Sequence, residues 1–82
     1  MRIGIRLLCV DLPTFSGVQD VDIADNATIL QAVTAHAKQN GIDKSLSLLP
    51  ESMFLIGKKP ARLDTELQDR DEVVVIRTLR GG

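Results

Sequence analysis

The composition of this 82-residue chain is that of one small globular domain. Hydrophobic residues make up 44% and charged residues 26%, a balance that separates the chain from disordered sequences. Ten Lys plus Arg against eleven Asp plus Glu give a net charge of −1, which argues against a dedicated nucleic-acid binder, because phosphate contacts need a basic excess. There is no apolar run of the ~20 residues that a membrane helix needs and no signal-like leader. The single cysteine, Cys9, cannot close an internal disulfide, so we expect a cytoplasmic protein.

The first residues of the chain predict a hairpin. Arg2–Val10 alternates two sets of side chains, with Ile3, Ile5 and Leu7 on one face and Leu8 and Val10 on the other. Asp11–Gly17 contains the Pro, Ser and Gly that are typical of a turn. Val18–Ile23 alternates more weakly, as an edge strand does.

A helix follows, and its two ends are marked in the sequence. Thr28 and Gln31 stand at the spacing of a capping box, in which each side chain bonds a backbone N–H of the first turn. Gly41 is positioned as a left-handed cap, so the helix is predicted from Ile29 to Asn40. One apolar stripe at helical spacing can lie on a sheet, formed by Ile29, Ala32, Val33, His36 and Ala37.

The second half predicts further strands. Asp43–Ser52 is compatible with a short strand or a helical turn and is treated as a connection. Met53–Ile56 is a short apolar run, Gly57–Pro60 reads as a turn, and a brief return strand is predicted at Ala61–Leu63. Glu72–Thr78 contains four consecutive β-branched residues and is the strongest strand prediction in the chain.

The chain closes on Leu79-Arg80-Gly81-Gly82. Extended, four residues span roughly 13–14 Å, enough to place a carboxylate inside another protein. The last two residues lack a Cβ, so this tail can pass through a channel too narrow for side chains. A frayed terminus that happens to end in glycine is the alternative.

The order of the elements and this tail resemble the ubiquitin-like β-grasp proteins, and in particular the MoaD/ThiS group of sulfur carriers. The tail matches the mature end of ubiquitin. The glycine turn at Ile56-Gly57-Lys58, the stretch Leu63-Asp64-Thr65-x-Leu67 and the sequence Asp71-Glu72-Val73 are similar to the carriers. Two departures are visible: Arg70 stands where the carriers usually have glycine, and Arg77-Thr78-Leu79-Arg80 lacks the prolines frequent in MoaD.

The resemblance implies an α+β fold, with a mixed four- to five-stranded sheet packed on one main helix. Residues 1–78 would form the β-grasp domain and residues 79–82 a flexible tail. It also implies a chemistry: a ubiquitin-activating-like enzyme uses ATP and Mg²⁺ to adenylate the Gly82 carboxylate, and a sulfur donor converts the adenylate into a thiocarboxylate. Gly81, which has no side chain, would allow the tail to pass through a narrow channel in the partner enzyme. The carrier itself would bind no cofactor or metal and would not be an enzyme.

The implied partners are the activating enzyme, the sulfur donor, and a large synthase subunit or a thiazole synthase. Molybdopterin synthesis is favoured by the length of the chain, and thiamine synthesis is the other pathway considered. No nucleic acid or membrane is expected among the partners, and the free carrier is expected to be a monomer.

A docking surface is expected on the side of the sheet away from the helix. If Val73 and Val75 face inward, Val74 and Ile76 face outward, and the resemblance to ubiquitin places Phe54 beside them. The alternatives are a core position for Phe54 and ordinary solvated charge for the tail arginines. The expected partner contacts are Leu8, Phe54, Val74, Ile76, Arg77, Leu79 and Arg80.

Other candidate residues have simpler explanations. Cys9 is expected to be a small core residue, and His36 lies at the edge of the helical stripe with no partner at a catalytic spacing. Turn formation accounts for Asp64, Asp69, Asp71 and Glu72. Two other functions remain open: a protein modifier joined through Gly82 to lysines, and a β-grasp interaction module with an inert tail.

Overall fold

The computed structural model describes residues 1–9, 17–42 and 52–77. Five strands and one helix lie in these ranges: β1 Arg2–Cys9, β2 Gln19–Asp22, α1 Ile29–Gln39, β3 Met53–Ile56, β4 Lys59–Ala61 and β5 Glu72–Arg77. The strands form one mixed sheet in the order β2-β1-β5-β3-β4. β1 and β5 are parallel, and the other neighbouring strands are antiparallel. The predicted α+β class is confirmed.

The helix begins and ends as its sequence predicts. The Gln31 backbone N–H donates to the Thr28 hydroxyl at 3.4 Å, and the Thr28 N–H donates to Gln31 Oε1 at 2.9 Å, which completes the capping box. Asn40 is the C-cap, and Gly41 follows it in the left-handed region with φ 68°. All five residues of the predicted stripe are buried.

The core lies between the helix and one face of the sheet. By register, Ile5 stands beside Val73 and Leu7 beside Val75, so these side chains point to the same side. The buried cluster between the two layers consists of Ile3, Ile5, Val21, Ile29, Ala32, Val33, Phe54, Leu67, Val73 and Val75. We call the opposite side of the sheet the outer face.

One strand is displaced from its predicted position. The return strand predicted at Ala61–Leu63 is β4, Lys59–Ala61, and only Gly57 and Lys58 form the turn before it. Pro60 therefore lies within a strand instead of a turn. A proline is tolerated there because β4 is at the edge of the sheet, where a missing N–H leaves no ladder bond unmade.

The segment between β4 and β5 joins the start of the helix to the start of β1. The Ile29 N–H donates to the Thr65 carbonyl at 3.1 Å, and the Leu67 N–H donates to the Ala27 carbonyl at 2.8 Å. Farther along, the Arg70 N–H donates to the Arg2 carbonyl at 2.8 Å. Arg70 has a φ of 70°, a left-handed conformation that costs a residue with a side chain about 1–2 kcal/mol.

Candidate functional site

The tail expected to carry the chemistry lies beyond the last described residue. Thr78, Leu79, Arg80, Gly81 and Gly82 are outside the described residues, so their roles stay predictions, as does the division of the chain at residue 78. What the structure describes is the base of this tail. β5 is the central strand, between β1 and β3, and its parallel register brings Arg77 beside Cys9 at the end of β1.

An apolar patch covers the outer face at this same end of the sheet. In the register of three adjacent strands, Leu8, Ile76 and Met53 form one row, and Val74 pairs with Leu55 in the next row. Leu8 and Met53 are 53% and 63% exposed, Ile76 and Leu55 are half-buried, and Val74 is buried. Side chains directly opposite one another on a sheet lie about 4.5–5.5 Å apart, so these residues form one continuous surface.

Three of the predicted contacts, Leu8, Val74 and Ile76, lie in this patch. Leu55 and Met53 belong to it as well and were not predicted. Their alternation with Phe54 and Ile56 was visible in the sequence. All four residues of β3 are apolar, however, so the alternation alone did not say which pair faces the helix.

The placement of Phe54 on the outer face is wrong. Phe54 pairs with Val75 and is 7% exposed within the core cluster, on the helix side of the sheet. The alternative considered from the sequence, a core position, is the observed one. An aromatic ring buries a large apolar area, and beside Val75 this area contributes to the core instead of a partner-facing surface.

Arg77 does not have the surroundings of a solvated tail arginine. It is buried, and the alternation along β5 places it on the same side as Val73 and Val75. Its predicted contact with acidic groups of a partner would require the guanidinium to leave this position. The expectation for the Cys9 thiol lies outside the described side chains.

His36 is a buried structural residue of the helix. Its Nε2 lies 2.7 Å from Gln19 Oε1, so the ring joins α1 to the edge strand β2. Burial lowers the pKa of the imidazole below its ordinary value, because a charged ring would lose its hydration there. The neutral form is therefore favoured in the folded protein.

The other end of the outer face is charged. Arg2 Nε donates to Asp22 Oδ1 at 3.1 Å, and this hydrogen bond lowers the pKa of the Asp22 carboxyl. Beside this pair lies a depression of about 430 Å³ with Gly4 in its lining. A Cβ on Gly4 would clash with Val18 Cγ1, because the Val18 side chain lies close to the backbone here.

The described residues contain no group of three or more His, Cys, Asp or Glu side chains arranged to hold a metal ion. No helix in the described ranges combines the length and apolar character needed to cross a membrane.

Comparison with known proteins identifies the architecture. The chain is similar to the crystal structure of SAMP1 from Haloferax volcanii, with a TM-score of 0.69, 17% identity and full coverage of both chains. It has a ubiquitin-like β-grasp fold. A second similar structure is a Caldiarchaeum subterraneum ubiquitin, with a TM-score of 0.56, 16% identity and full coverage of both chains. A third is a ubiquitin-like protein from the hyperthermophilic archaeon Caldiarchaeum subterraneum, with a TM-score of 0.53 and 20% identity, covering 99% of this chain and 100% of that one. No family model and no curated protein sequence matches the chain.

Proposed function

We propose that this protein is a sulfur carrier whose Gly82 carboxylate is adenylated by a separate ubiquitin-activating-like enzyme and then converted to a thiocarboxylate. The observation that carries the proposal is the position of β5. It is the central strand of a ubiquitin-like sheet, and the sequence Leu79-Arg80-Gly81-Gly82 follows it within two residues. The fold thus supplies a rigid body behind a short chain of the composition needed to enter another protein's active site.

The chemistry explains why the carrier would need no catalytic side chain. A carboxylate resists nucleophilic attack because its negative charge is delocalised and oxide is a poor leaving group. Attack of the Gly82 carboxylate on the α-phosphorus of ATP expels pyrophosphate and forms an acyl-adenylate. A hydrosulfide ion supplied by the sulfur donor then attacks the carbonyl carbon, AMP leaves, and loss of the sulfur-bound proton gives the thiocarboxylate. ATP and Mg²⁺ are bound by the activating partner in this proposal.

The apolar patch is the proposed docking surface for that partner. Leu8, Ile76 and Met53 form a row across three strands, and Ile76 immediately precedes Arg77 at the end of β5. A protein that takes up the tail would therefore also cover this row. Fully burying an aliphatic side chain is worth about 1.5–3 kcal/mol. Three such side chains can therefore offset a substantial part of the entropy lost on association.

The sulfur acceptor is proposed to be a cofactor precursor. Molybdopterin is favoured, with a large synthase subunit receiving the tail, and the thiazole of thiamine, made by a thiazole synthase, is the other acceptor. Both place the same demand on this chain, a monomeric carrier with a reactive terminus. The acceptor enzyme would therefore determine the pathway.

The decisive experiment is an intact mass measurement on untagged protein purified from its own host. A mass increase equal to replacing one oxygen by sulfur, localised to Gly82 by fragmentation, is the expected result. The increase should disappear when Gly82 is deleted. An unmodified terminus in every fraction, under growth conditions that require the cofactors, would overturn the proposal.

The docking surface is tested by two leucine substitutions of matched chemistry. Leu8→Ser removes an exposed leucine from the apolar patch, and Leu30→Ser removes an exposed leucine from the helix, on the other side of the molecule. In ATP–pyrophosphate exchange with the activating enzyme, we expect Leu8→Ser to raise KM for the carrier about tenfold, the effect of losing roughly 1.4 kcal/mol of contact. Leu30→Ser should leave KM unchanged. Equal effects of the two substitutions would assign the docking to another surface.

A protein modifier is the second candidate function, and two observations favour it. Two of the similar structures bear the names ubiquitin or ubiquitin-like protein, and the tail has the Leu-Arg-Gly-Gly sequence of ubiquitin. For this function, Gly82 should be recovered in isopeptide linkage to lysines of larger proteins. An interaction module with an inert tail would instead retain its function when Gly81 and Gly82 are deleted.

A further inference from the structure

Arg70 occupies a backbone position that suits glycine. Its φ is 70°, and within the described residues no hydrogen bond of the turn uses the Arg70 side chain: the Arg70 N–H donates to the Arg2 carbonyl at 2.8 Å, and the Asp71 N–H donates to the Gln68 carbonyl at 3.0 Å. A glycine would make the same bonds without the steric conflict of a Cβ in the left-handed region. The turn itself therefore gives no reason for an arginine.

The side chain of Arg70 contributes little inside the protein. It is 92% exposed, and within the described part of the chain its one ion pair joins Nε to Asp69 Oδ2 at 4.0 Å. An exposed pair at this distance is worth close to nothing, since water screens it. The strain at this residue is thus not offset by a contact that the guanidinium makes within the described fold.

The carboxylates on either side of Arg70 in sequence are engaged within the protein. Asp69 Oδ1 accepts from the Arg2 N–H at 3.0 Å, and Asp71 Oδ2 accepts from the Gln68 N–H at 2.8 Å. The guanidinium of Arg2 holds Asp22. Asp69 and Arg70 are both exposed, at 63% and 92% of their side-chain surface, but the Asp69 carboxylate already accepts from a backbone N–H, whereas the Arg70 guanidinium makes only the 4.0 Å contact with Asp69 within the described part of the chain.

The surroundings determine where an anion could meet this guanidinium. Arg70 lines the depression on the outer face, together with Gly4, Asp20 and Glu72. By register, Asp20 and Glu72 flank Gly4 from the two neighbouring strands, so carboxylates line the depression on both sides of Gly4. An anionic group that entered there would be repelled, whereas one at the exposed guanidinium would be attracted.

We propose that Arg70 forms an ion pair with a carboxylate of the activating enzyme, as a second contact on the same outer face as the apolar patch. This inference rests on the proposed function, which supplies the partner. Guanidinium binds carboxylate through two parallel N–H···O bonds, so the contact would fix the orientation of the carrier as well as attract it. The patch would supply apolar contact area near the tail, and Arg70 would fix the position of the Gly4 end of the sheet against the partner.

The test compares substitutions at Arg70 and Asn26, the two non-glycine residues with a positive φ within the described ranges. Arg70→Gly and Asn26→Gly both place glycine at a positive φ, 70° and 64° respectively, and Asn26 lies apart from the depression. Arg70→Gly should raise Tm by about 2–5 °C, because it relieves the strain. It should also raise KM for the carrier in ATP–pyrophosphate exchange about five- to tenfold, and Arg70→Lys should give an intermediate value. Asn26→Gly should leave KM unchanged.

Ionic strength supplies the second measurement. Added NaCl should raise KM of the wild-type protein more steeply than KM of Arg70→Gly, because salt screens a rim charge. Equal KM values for wild type and Arg70→Gly, or equal salt dependence, would overturn the inference while exchange by the wild type still supports the proposed function. Failure of the wild type to support any exchange would instead count against the proposed function itself.

Discussion

The two faces of the sheet carry similar side chains but are covered very differently. On the helix side, Val73 and Val75 are fully buried under α1. On the outer face, Leu8 and Met53 are more than half exposed, although they are as apolar as the residues they adjoin. Strands with one solvated face usually alternate apolar and polar residues. The outer face of β1 follows that rule as far as Arg6, which pairs with Val74, whereas β3 and the end of β5 depart from it and, with Leu8, form the apolar patch proposed as the docking surface.

The largest expected effect comes from two adjacent residues on opposite faces. Phe54→Ala should lower the free energy of unfolding by about 3–5 kcal/mol, because it leaves a cavity in the core. Met53→Ala should change it by no more than about 0.5 kcal/mol, since that side chain is largely exposed. Urea denaturation followed by circular dichroism measures both.

A milder core substitution keeps this comparison measurable if Phe54→Ala does not fold. Phe54→Leu retains most of the apolar volume and should cost about 1 kcal/mol. Similar losses for the substitutions at Phe54 and Met53 would contradict the register between β3 and β5 on which the two faces are defined.

At the charged end of the outer face, Val18 lies close against the backbone of Gly4. Gly4→Ala would bring a Cβ into conflict with Val18 Cγ1, and a stiff β-branched side chain cannot move aside freely. We expect a loss of about 1–3 kcal/mol of unfolding free energy.

Val18→Ala is the matched partner in a double-mutant cycle. In the Val18→Ala background, Gly4→Ala should cost at least about 0.5 kcal/mol less than in the wild type. Additive losses would show that the cost at Gly4 does not arise from contact with Val18.

Local signals in the sequence were sufficient for most elements, and the errors arose where pairing between strands decides the outcome. The capping box at Thr28 and the cap at Gly41 lie within a few residues of the ends they define, so the helix was predicted correctly. Phe54 was placed on the wrong face because its side depends on how β3 pairs with β5, about twenty residues away.

The candidate site divides in the same way. The Gly81-Gly82 sequence is read directly from the chain, and the chemistry proposed for it rests on a resemblance. The apolar patch exists only when β1, β3 and β5 lie side by side, so Met53 and Leu55 could not be assigned to it from the run Met53–Ile56 alone. The burial of Arg77 likewise depends on the layer that covers β5.

The smallest expected effect is on the pH dependence of the free energy of unfolding, which should differ between a group on the helix side and a group on the outer face. His36 lies on the helix side, and burial lowers its pKa, so the unfolded chain takes up a proton near pH 6.5 while the folded protein does not. The free energy of unfolding should therefore fall as pH drops below about 6.5, until the folded-state pKa is reached. On the outer face, the hydrogen bond from Arg2 lowers the pKa of the Asp22 carboxyl below its ordinary value of 3.8. The stability that this carboxylate contributes is therefore lost only in more acidic solution, as the pH falls below about 3.8.

Substitutions at the two groups resolve the two pH ranges. His36→Gln keeps a polar side chain that can bond Gln19 and should remove the loss of stability just below pH 6.5 without altering the loss in acid. Asp22→Asn should reduce the loss of stability in acid and leave the loss just below pH 6.5 unchanged. His36 is the single histidine of the chain, so its NMR titration reports the folded-state pKa directly. A folded-state pKa at or above the ordinary value would mean that the ring is solvated, and that the helix side of the sheet is less closed than the burial of its residues indicates.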